Sequence, residues 1–237
     1  KHVGKIVMSM QEIRAIRSDA AYLITGGLGA LGLKMAEWMV EQGARSLFLM
    51  GRNAPSENAA QFIETLRNQG ADIAIELGDV SSESDVKAIF DKIQPSLKGI
   101  IHAAGILDDA MIPDQTSERF ERAMMPKAVG AWNLHRHTEN KDLDFFVMFS
   151  SAASIMGNPG QSNYAAANAF LDALAHYRHN LELPATSINW GPWADVGMAA
   201  SQSNRGGRLA TQGIRGITPD NGLAILKKIL CEKPVQV

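Results

Sequence analysis

Cysteine is nearly absent: Cys231 is the single one in 237 residues. It can form no intrachain disulfide and no cysteine metal cluster, and a reducing cytosol is the simplest compartment for such a chain. Long apolar runs are missing too. None approaches the roughly 20 residues needed to cross a bilayer. Charge of one sign is not in excess, with 23 Lys and Arg against 25 Asp and Glu. That balance gives no long-range pull towards nucleic acid or an anionic membrane, and no basic patch carries interleaved aromatics. No His/Asp/Glu cluster shows metal-ligand spacing. Lys1-His2-Val3-Gly4-Lys5-Ile6-Val7 lacks the apolar core and cleavage site of a signal peptide, and it lacks an initiator methionine. A segment of a longer polypeptide is therefore expected. Internal repeats and low-complexity tracts are absent.

What is present describes a folded chain. Hydrophobic residues make up 46% and charged residues 20%, which excludes a disordered segment. The length suits one large α/β domain and is too short for two ordinary ones. Tyr22-Leu23-Ile24, Leu47-Phe48-Leu49-Met50, Ile73-Ala74-Ile75, Gly99-Ile100-Ile101-His102, Phe145-Phe146-Val147-Met148-Phe149 and Thr186-Ser187-Ile188-Asn189 read as strands. They are short and mostly unalternating, as parallel strands covered on both faces should be. Helical stretches are expected between them over residues 32–43, 57–69, 82–93, 117–137 and 163–180. Ser81 precedes an acid-rich first turn, and Gly43 and Gly70 stand where helices would stop. This alternation predicts an α/β fold, a Rossmann-like doubly wound parallel sheet with helices on both faces. Pro234-Val235-Gln236-Val237 is a candidate last strand at the far edge, and residues 194–216, rich in Gly, Ser, Asn and Arg, are the candidate lid.

Thr25-Gly26-Gly27-Leu28-Gly29-Ala30-Leu31-Gly32 lies between the first strand and the first helix. Glycines at 26, 27, 29 and 32 permit a tight turn and let backbone N–H groups approach a pyrophosphate at the helix N-terminus. After the second strand a binder of NAD usually carries an acid for the ribose hydroxyls, whereas here Met50-Gly51-Arg52-Asn53 offers Arg52. A guanidinium can bind a 2′-phosphate through two charge-assisted hydrogen bonds, so NADPH is the expected cofactor. Asp79-Val80 follows the third strand, where Asp79 either meets the adenine amino group or caps the next helix. Ala103, Ala104 and Gly105 end the fourth strand with small residues that admit the cofactor ribose, and His102 before them is assigned no chemistry.

Reducing a ketone leaves negative charge on oxygen, which calls for a proton and hydrogen-bond donors already in place. Tyr164 can donate the proton if a nearby cation favours the phenolate. Ser151 closes the fifth strand, with Ser150 its rival by adjacency. Asn168 follows the tyrosine by four residues and shares its helical face. Lys127 on the preceding helix can supply the cation; spacing alone leaves Lys141 and Arg178 open.

Tyr164, Ser151 and the glycine turn resemble the short-chain dehydrogenase/reductase superfamily, with asparagine at 168 where the typical member has lysine. The chain is similar, more narrowly, to the catalytic subdomain of ketoreductase domains from modular polyketide synthases, in which the lysine and asparagine positions are exchanged. That resemblance implies a catalytic tetrad of Lys127, Ser151, Tyr164 and Asn168, and it covers nearly the whole chain, Asn189-Trp190-Gly191-Pro192-Trp193 beside the nicotinamide included. It implies transfer of the pro-S hydride of NADPH to a β-ketoacyl thioester presented on the phosphopantetheine arm of an acyl carrier protein. Residues 1–17 then resemble the remnant of an N-terminal structural subdomain, 18–237 being the catalytic subdomain. Leu107-Asp108-Asp109 resembles the B-type fingerprint, Asp109 being diagnostic. Met156 stands where A-type members carry tryptophan, Ala166 where epimerising members carry proline, and Gln161 joins the residues expected to shape the substrate groove. The implied product is the D-configured (3R) alcohol without α-epimerisation. The equivalent domain of a multifunctional fatty acid synthase, or a silent NADPH-binding scaffold, are the alternative readings.

Overall fold

Six segments rich in β-branched, aromatic and other apolar residues form the strands of the computed structural model, which describes residues 16–194 and 215–237. They are β1 (Ala21–Thr25), β2 (Ser46–Gly51), β3 (Asp72–Leu77), β4 (Leu97–His102), β5 (Phe145–Ser151) and β6 (Thr186–Trp190). All pair in parallel in the order β3-β2-β1-β4-β5-β6. The chain winds outward from β1 to β3, then returns to lay β4 against the other side of β1. That reversal opens a crevice at the carboxyl ends of β1 and β4, where ligands of doubly wound sheets bind.

Alternate residues of each strand feed two cores. Tyr22, Ile24, Leu47, Leu49, Ile101 and Val147 face α1 (Ala30–Glu41), α2 (Glu57–Asn68) and α8 (Pro219–Glu232). Leu23, Phe48, Met50, Ile100, Phe146 and Met148 face α3 (Glu83–Lys92), α5 (Gly130–Arg136) and α7 (Ser162–Asn180). Burying each such side chain contributes about 1.5–3 kcal/mol, so the sheet's two-sided cover accounts for its near-continuous apolar sequence.

Local chemistry sets the helix ends. Ser56 and Ser82 cap α2 and α3 by accepting from the amides of Ala59 and Asp85, each at 3.3 Å. The cap of α3 is thus Ser82, one residue beyond Ser81. Gly43 and Gly70 take φ of +108° and +89° just after their helices, as their positions in the sequence predict. The helix expected over 117–137 is interrupted: α4 (Ser117–Met124) passes through a π-helical turn, Met125–Val129, into α5. Pro126 sits in that turn, has no N–H to donate and disrupts the regular ladder. Two further helices, α6 (Ala153–Met156) and α8, add to those read from the sequence.

Residues 235–237 run beside β6, with Ser187 N–H donating to Val235 O at 2.9 Å and Val237 N–H to Ser187 O at 3.0 Å. The edge strand expected of the C-terminus is thus reduced to an isolated parallel bridge, Ser187 to Gln236, beside the six-stranded sheet. The strand expected near Gly4 to Val7 lies outside the described residues, as does most of the candidate lid. Where the lid's ends are described, Ala194 N–H donates to Ile217 O and Ile217 N–H to Pro192 O, both at 2.8 Å. Among the described residues no helix is long and apolar enough to cross a membrane.

Candidate active site

A cleft of about 520 Å³ opens at the reversal point of the sheet. Thr25, Gly26, Gly29, Gly32, Arg52, Asp79, Val80, Ala103, Ala104 and Gly105 all line it. Two glycines are required there. A Cβ at Gly32 would lie 2.3 Å from Gly26 O, and one at Gly26, whose φ is +68°, would lie 2.9 Å from Ala104 N. The turn therefore folds tightly beneath the first turn of α1, which starts without a side-chain cap. Such an uncapped helix start, with its amides and dipole facing a cleft, suits the pyrophosphate of a dinucleotide. Gly27 does not line the cleft. Its N–H donates to Met50 O at 3.1 Å, and a Cβ there would lie 2.7 Å from Ile24 O, so it serves the packing of β1 on β2.

Arg52 is exposed at the end of β2, on the cleft wall. Asp79 accepts from the N–H and Oγ of Ser81, at 2.9 and 2.6 Å, in a turn that leads into α3. The cap itself belongs to Ser82, which leaves Asp79 a turn residue on the cleft wall. Leu28, Ala30, Leu31, Met50, Gly51, Asn53, Ala54, Gly78, Ile106 and Pro126 complete the lining and were not assigned to the cofactor from the sequence. Their signal was adjacency to the glycine turn and to the strand ends.

The four residues expected to form a tetrad come from three elements. Ser151 ends β5, and its Oγ accepts from Ala153 N–H at 3.2 Å, which leaves its own proton for a substrate oxygen. Tyr164 is half-buried in the first turn of α7. Asn168 is fully buried one turn later and donates through Nδ2 to Tyr164 O at 2.7 Å. The π turn carries Lys127, 2% exposed, whose Nζ lies 5.5 Å from the Tyr164 ring centroid and donates to Phe149 O at 2.7 Å. Burial pushes the Lys127 ammonium down to about 7, against the opposing field of Asp172. Of the three cations the sequence left open, Lys127 is the one over the tyrosine. Arg178 instead packs 4.1 Å over Phe146, and Lys141 lies 5.7 Å over Phe90.

His102 fastens this arrangement to the sheet. It is fully buried, with Nδ1 2.7 Å from Thr25 Oγ1 and Nε2 3.3 Å from Lys127 O. Burial, helped by the Lys127 charge, lowers its pKa to about 3. The neutral ring then donates from Nε2 to the carbonyl and accepts at Nδ1 from the threonine. Both ring nitrogens are thus engaged within the fold.

Beyond β4, Leu107, Asp108 and Asp109 lead along the mouth of the site. Asp108 is gripped by Arg119 and pairs with Arg122 at 2.9 Å. Gln161 donates to both oxygens of Asp109 at 3.2 Å and is itself held by Asn158 at 2.7 Å. Fully buried Asn163 donates to Asp108 O at 2.8 Å and accepts from Tyr164 N–H at 2.8 Å. The loop is thus bolted to the start of α7, and Asn163 is a contact the sequence did not reveal. Met156 stands on α6 at 72% exposure, with Ile155 beside it at 67%, so both are apolar groups facing solvent.

Comparison with known proteins places this architecture. The model of the KR domain family matches residues 20–195. The chain is 40% identical over 234 residues to a mycocerosic acid synthase-like polyketide synthase of Mycobacterium tuberculosis, covering 97% of this chain and 11% of that protein. Among solved structures, an A-type ketoreductase from a modular polyketide synthase superposes with a TM-score of 0.91 at 34% identity, covering 99% of this chain and 50% of that one. A ketoreductase domain from the bacillaene assembly line does so at 0.88 and 34%, over 97% and 57%. The family model and the relatives cover nearly the whole of this chain, though only 11% of the mycobacterial synthase, and the chain belongs to the KR domain family, the ketoreductases of polyketide synthases.

Proposed function

We propose that this ketoreductase uses NADPH to reduce a β-ketoacyl thioester, held on an acyl carrier protein of a polyketide synthase, to the D-configured (3R) β-hydroxyacyl thioester. One observation carries the catalytic part: Lys127, buried and 5.5 Å from the Tyr164 ring, supplies the cation that the exchange of lysine for asparagine removes from position 168. The bound nicotinamide supplies the hydride. Ser151 Oγ donates to the ketone oxygen as charge develops on it, and Tyr164 passes its phenolic proton to that oxygen. Lys127 stabilises the resulting phenolate, and Asn168 secures the first turn of α7 through Tyr164 O. Thr25 to Gly32 would hold the pyrophosphate, Arg52 the 2′-phosphate, and Ala103 to Gly105 the ribose.

The stereochemical reading rests on Asp109, held by Gln161 at the mouth of the site, where it narrows the groove open to a phosphopantetheine arm. Fold similarity to an A-type structure reflects the shared backbone, whereas Leu107-Asp108-Asp109 and Met156 are properties of this chain's own groove. Neighbouring megasynthase domains in the cytosol complete the proposal. Chiral analysis of the alcohol formed from a β-ketoacyl N-acetylcysteamine thioester tests it: predominant D-alcohol is expected, and predominant L-alcohol contradicts it.

A further inference from the structure

Asp172 follows Asn168 by four residues and Tyr164 by eight on α7, so the three share one helical face. It is only 8% exposed, and no cation pairs with it directly among the described residues. Donors converge on both of its oxygens instead. Ser187 Oγ reaches Oδ1 at 2.6 Å, while Ser154 Oγ and Asn189 Nδ2 reach Oδ2 at 2.6 and 2.9 Å. Gln236 donates to Asn189 Oδ1 at 3.0 Å, which fixes the amide so that its nitrogen faces Asp172. A carboxylate can accept all three of these hydrogen bonds at once. From Asn189 the network continues to Ser150 Oγ at 3.1 Å, and from there to Asn168 O at 3.2 Å. Ser154 Oγ also lies 2.9 Å from Ser151 O. The network therefore backs the end of β5 and the first turns of α7 together.

We propose that Asp172 is a positioning residue of this site: it supplies the buried negative charge that the Lys127–Tyr164 pair requires, and it holds the strand end bearing Ser151. The inference rests on the reading of Lys127, Ser151, Tyr164 and Asn168 as the catalytic set. The titratable groups facing Lys127 are Tyr164 and Asp172 on α7 and neutral His102 on β4. Removing a negative charge eases proton loss from a neighbouring ammonium and a neighbouring phenol alike. The direction of the effect is thus the same whichever member of the coupled pair ionises first.

The test is the pH profile of kcat with NADPH and a β-ketoacyl N-acetylcysteamine thioester, for the wild type, Asp172→Asn, Asp172→Glu and Ser187→Ala, with melting temperatures measured alongside. In Asp172→Asn the alkaline limb moves to lower pH by roughly one unit. Asp172→Glu, which keeps the charge, brings the limb back towards the wild-type position. Ser187→Ala removes one hydrogen bond and keeps the charge, so its limb stays. Asp172→Ser provides a second neutral side chain if the amide variant fails to fold. A folded neutral variant with an unmoved limb overturns the proposal, and so does an equal shift in Ser187→Ala. Wild-type turnover in Lys127→Met and Tyr164→Phe would instead overturn the catalytic reading beneath it.

Discussion

The ammonium of Lys127 donates to the carbonyl of Phe149 at 2.7 Å, two residues before Ser151 on the same strand. One hydrogen bond thereby ties the π turn to the strand that ends in Ser151, the proposed oxyanion donor. The π turn matters here: Pro126 breaks the regular ladder, and the lysine that follows turns inward beneath Tyr164.

Burying that ammonium opposes folding. The folded value near 7 lies below the ordinary 10.5, so between those pH values the unfolded chain binds more protons than the folded one. Stability from this group therefore rises with pH across that window and is lowest at and below its lower end. Lys127→Met should melt higher than the wild type at pH 7, by on the order of 1 kcal/mol or more, and lose turnover by roughly 10²-fold. Melting curves and initial rates on the same preparations check both halves.

His102 gives the acid limit. Its folded value near 3 lies below the ordinary 6.5, so protons favour the unfolded chain as pH falls through that interval. At pH 5 this group alone should cost on the order of 2 kcal/mol relative to neutral pH. Urea denaturation at pH 7 and pH 5 should show that loss in the wild type, and a much smaller one in His102→Gln.

Glycines in the turn and at helix ends should respond differently to alanine. Gly32→Ala sets a Cβ 2.3 Å from Gly26 O, which forces the cofactor turn open. Dinucleotide binding followed by fluorescence should be lost. At Gly43 nothing lies within 4 Å of the added Cβ, and the strain of φ +108° is the whole effect. Its alanine variant should lose about 1 kcal/mol of stability and keep its cofactor affinity.

Arg52 lines the cleft at the end of β2, where we propose that it binds the 2′-phosphate of the cofactor. Losing a charge-assisted contact costs roughly 1.5–3 kcal/mol, or about 10- to 100-fold in KM. Arg52→Glu should raise the KM for NADPH by that factor and leave or improve the KM for NADH. Parallel titrations with the two cofactors read this directly.

Much of the fold was legible because parallel strands covered on both faces leave short, mostly apolar runs, of which Thr186-Ser187-Ile188-Asn189 is the most polar. Gly43 and Gly70 marked helix ends for a local reason, the left-handed backbone that follows a helix. The π turn was not legible as such, since helical period over 117–137 continues across Pro126 and only the proline itself warned of a break. The α8 helix carried its signals, Thr218 as cap and Pro219 in the first turn, directly after a tract that read as lid. Gly27 shows the limit of motif reading: it belongs to the glycine pattern and yet spends its N–H on β2. Asp172 was invisible because its partners, Ser154, Ser187 and Asn189, lie on α6 and β6 and meet it only in three dimensions. Lys127 came from resemblance, since spacing left three cations open and only the folded chain puts one of them over Tyr164.

The most direct test is NADPH consumption with a β-ketoacyl N-acetylcysteamine thioester, comparing the wild type with Tyr164→Phe. The ring of phenylalanine keeps the packing beneath Lys127 and removes the transferable proton. Turnover in the wild type that falls by at least about 10²-fold in the variant, with NADPH affinity kept, is the expected result. Equal turnover in both proteins, or NADPH binding with no turnover in either, would contradict the account.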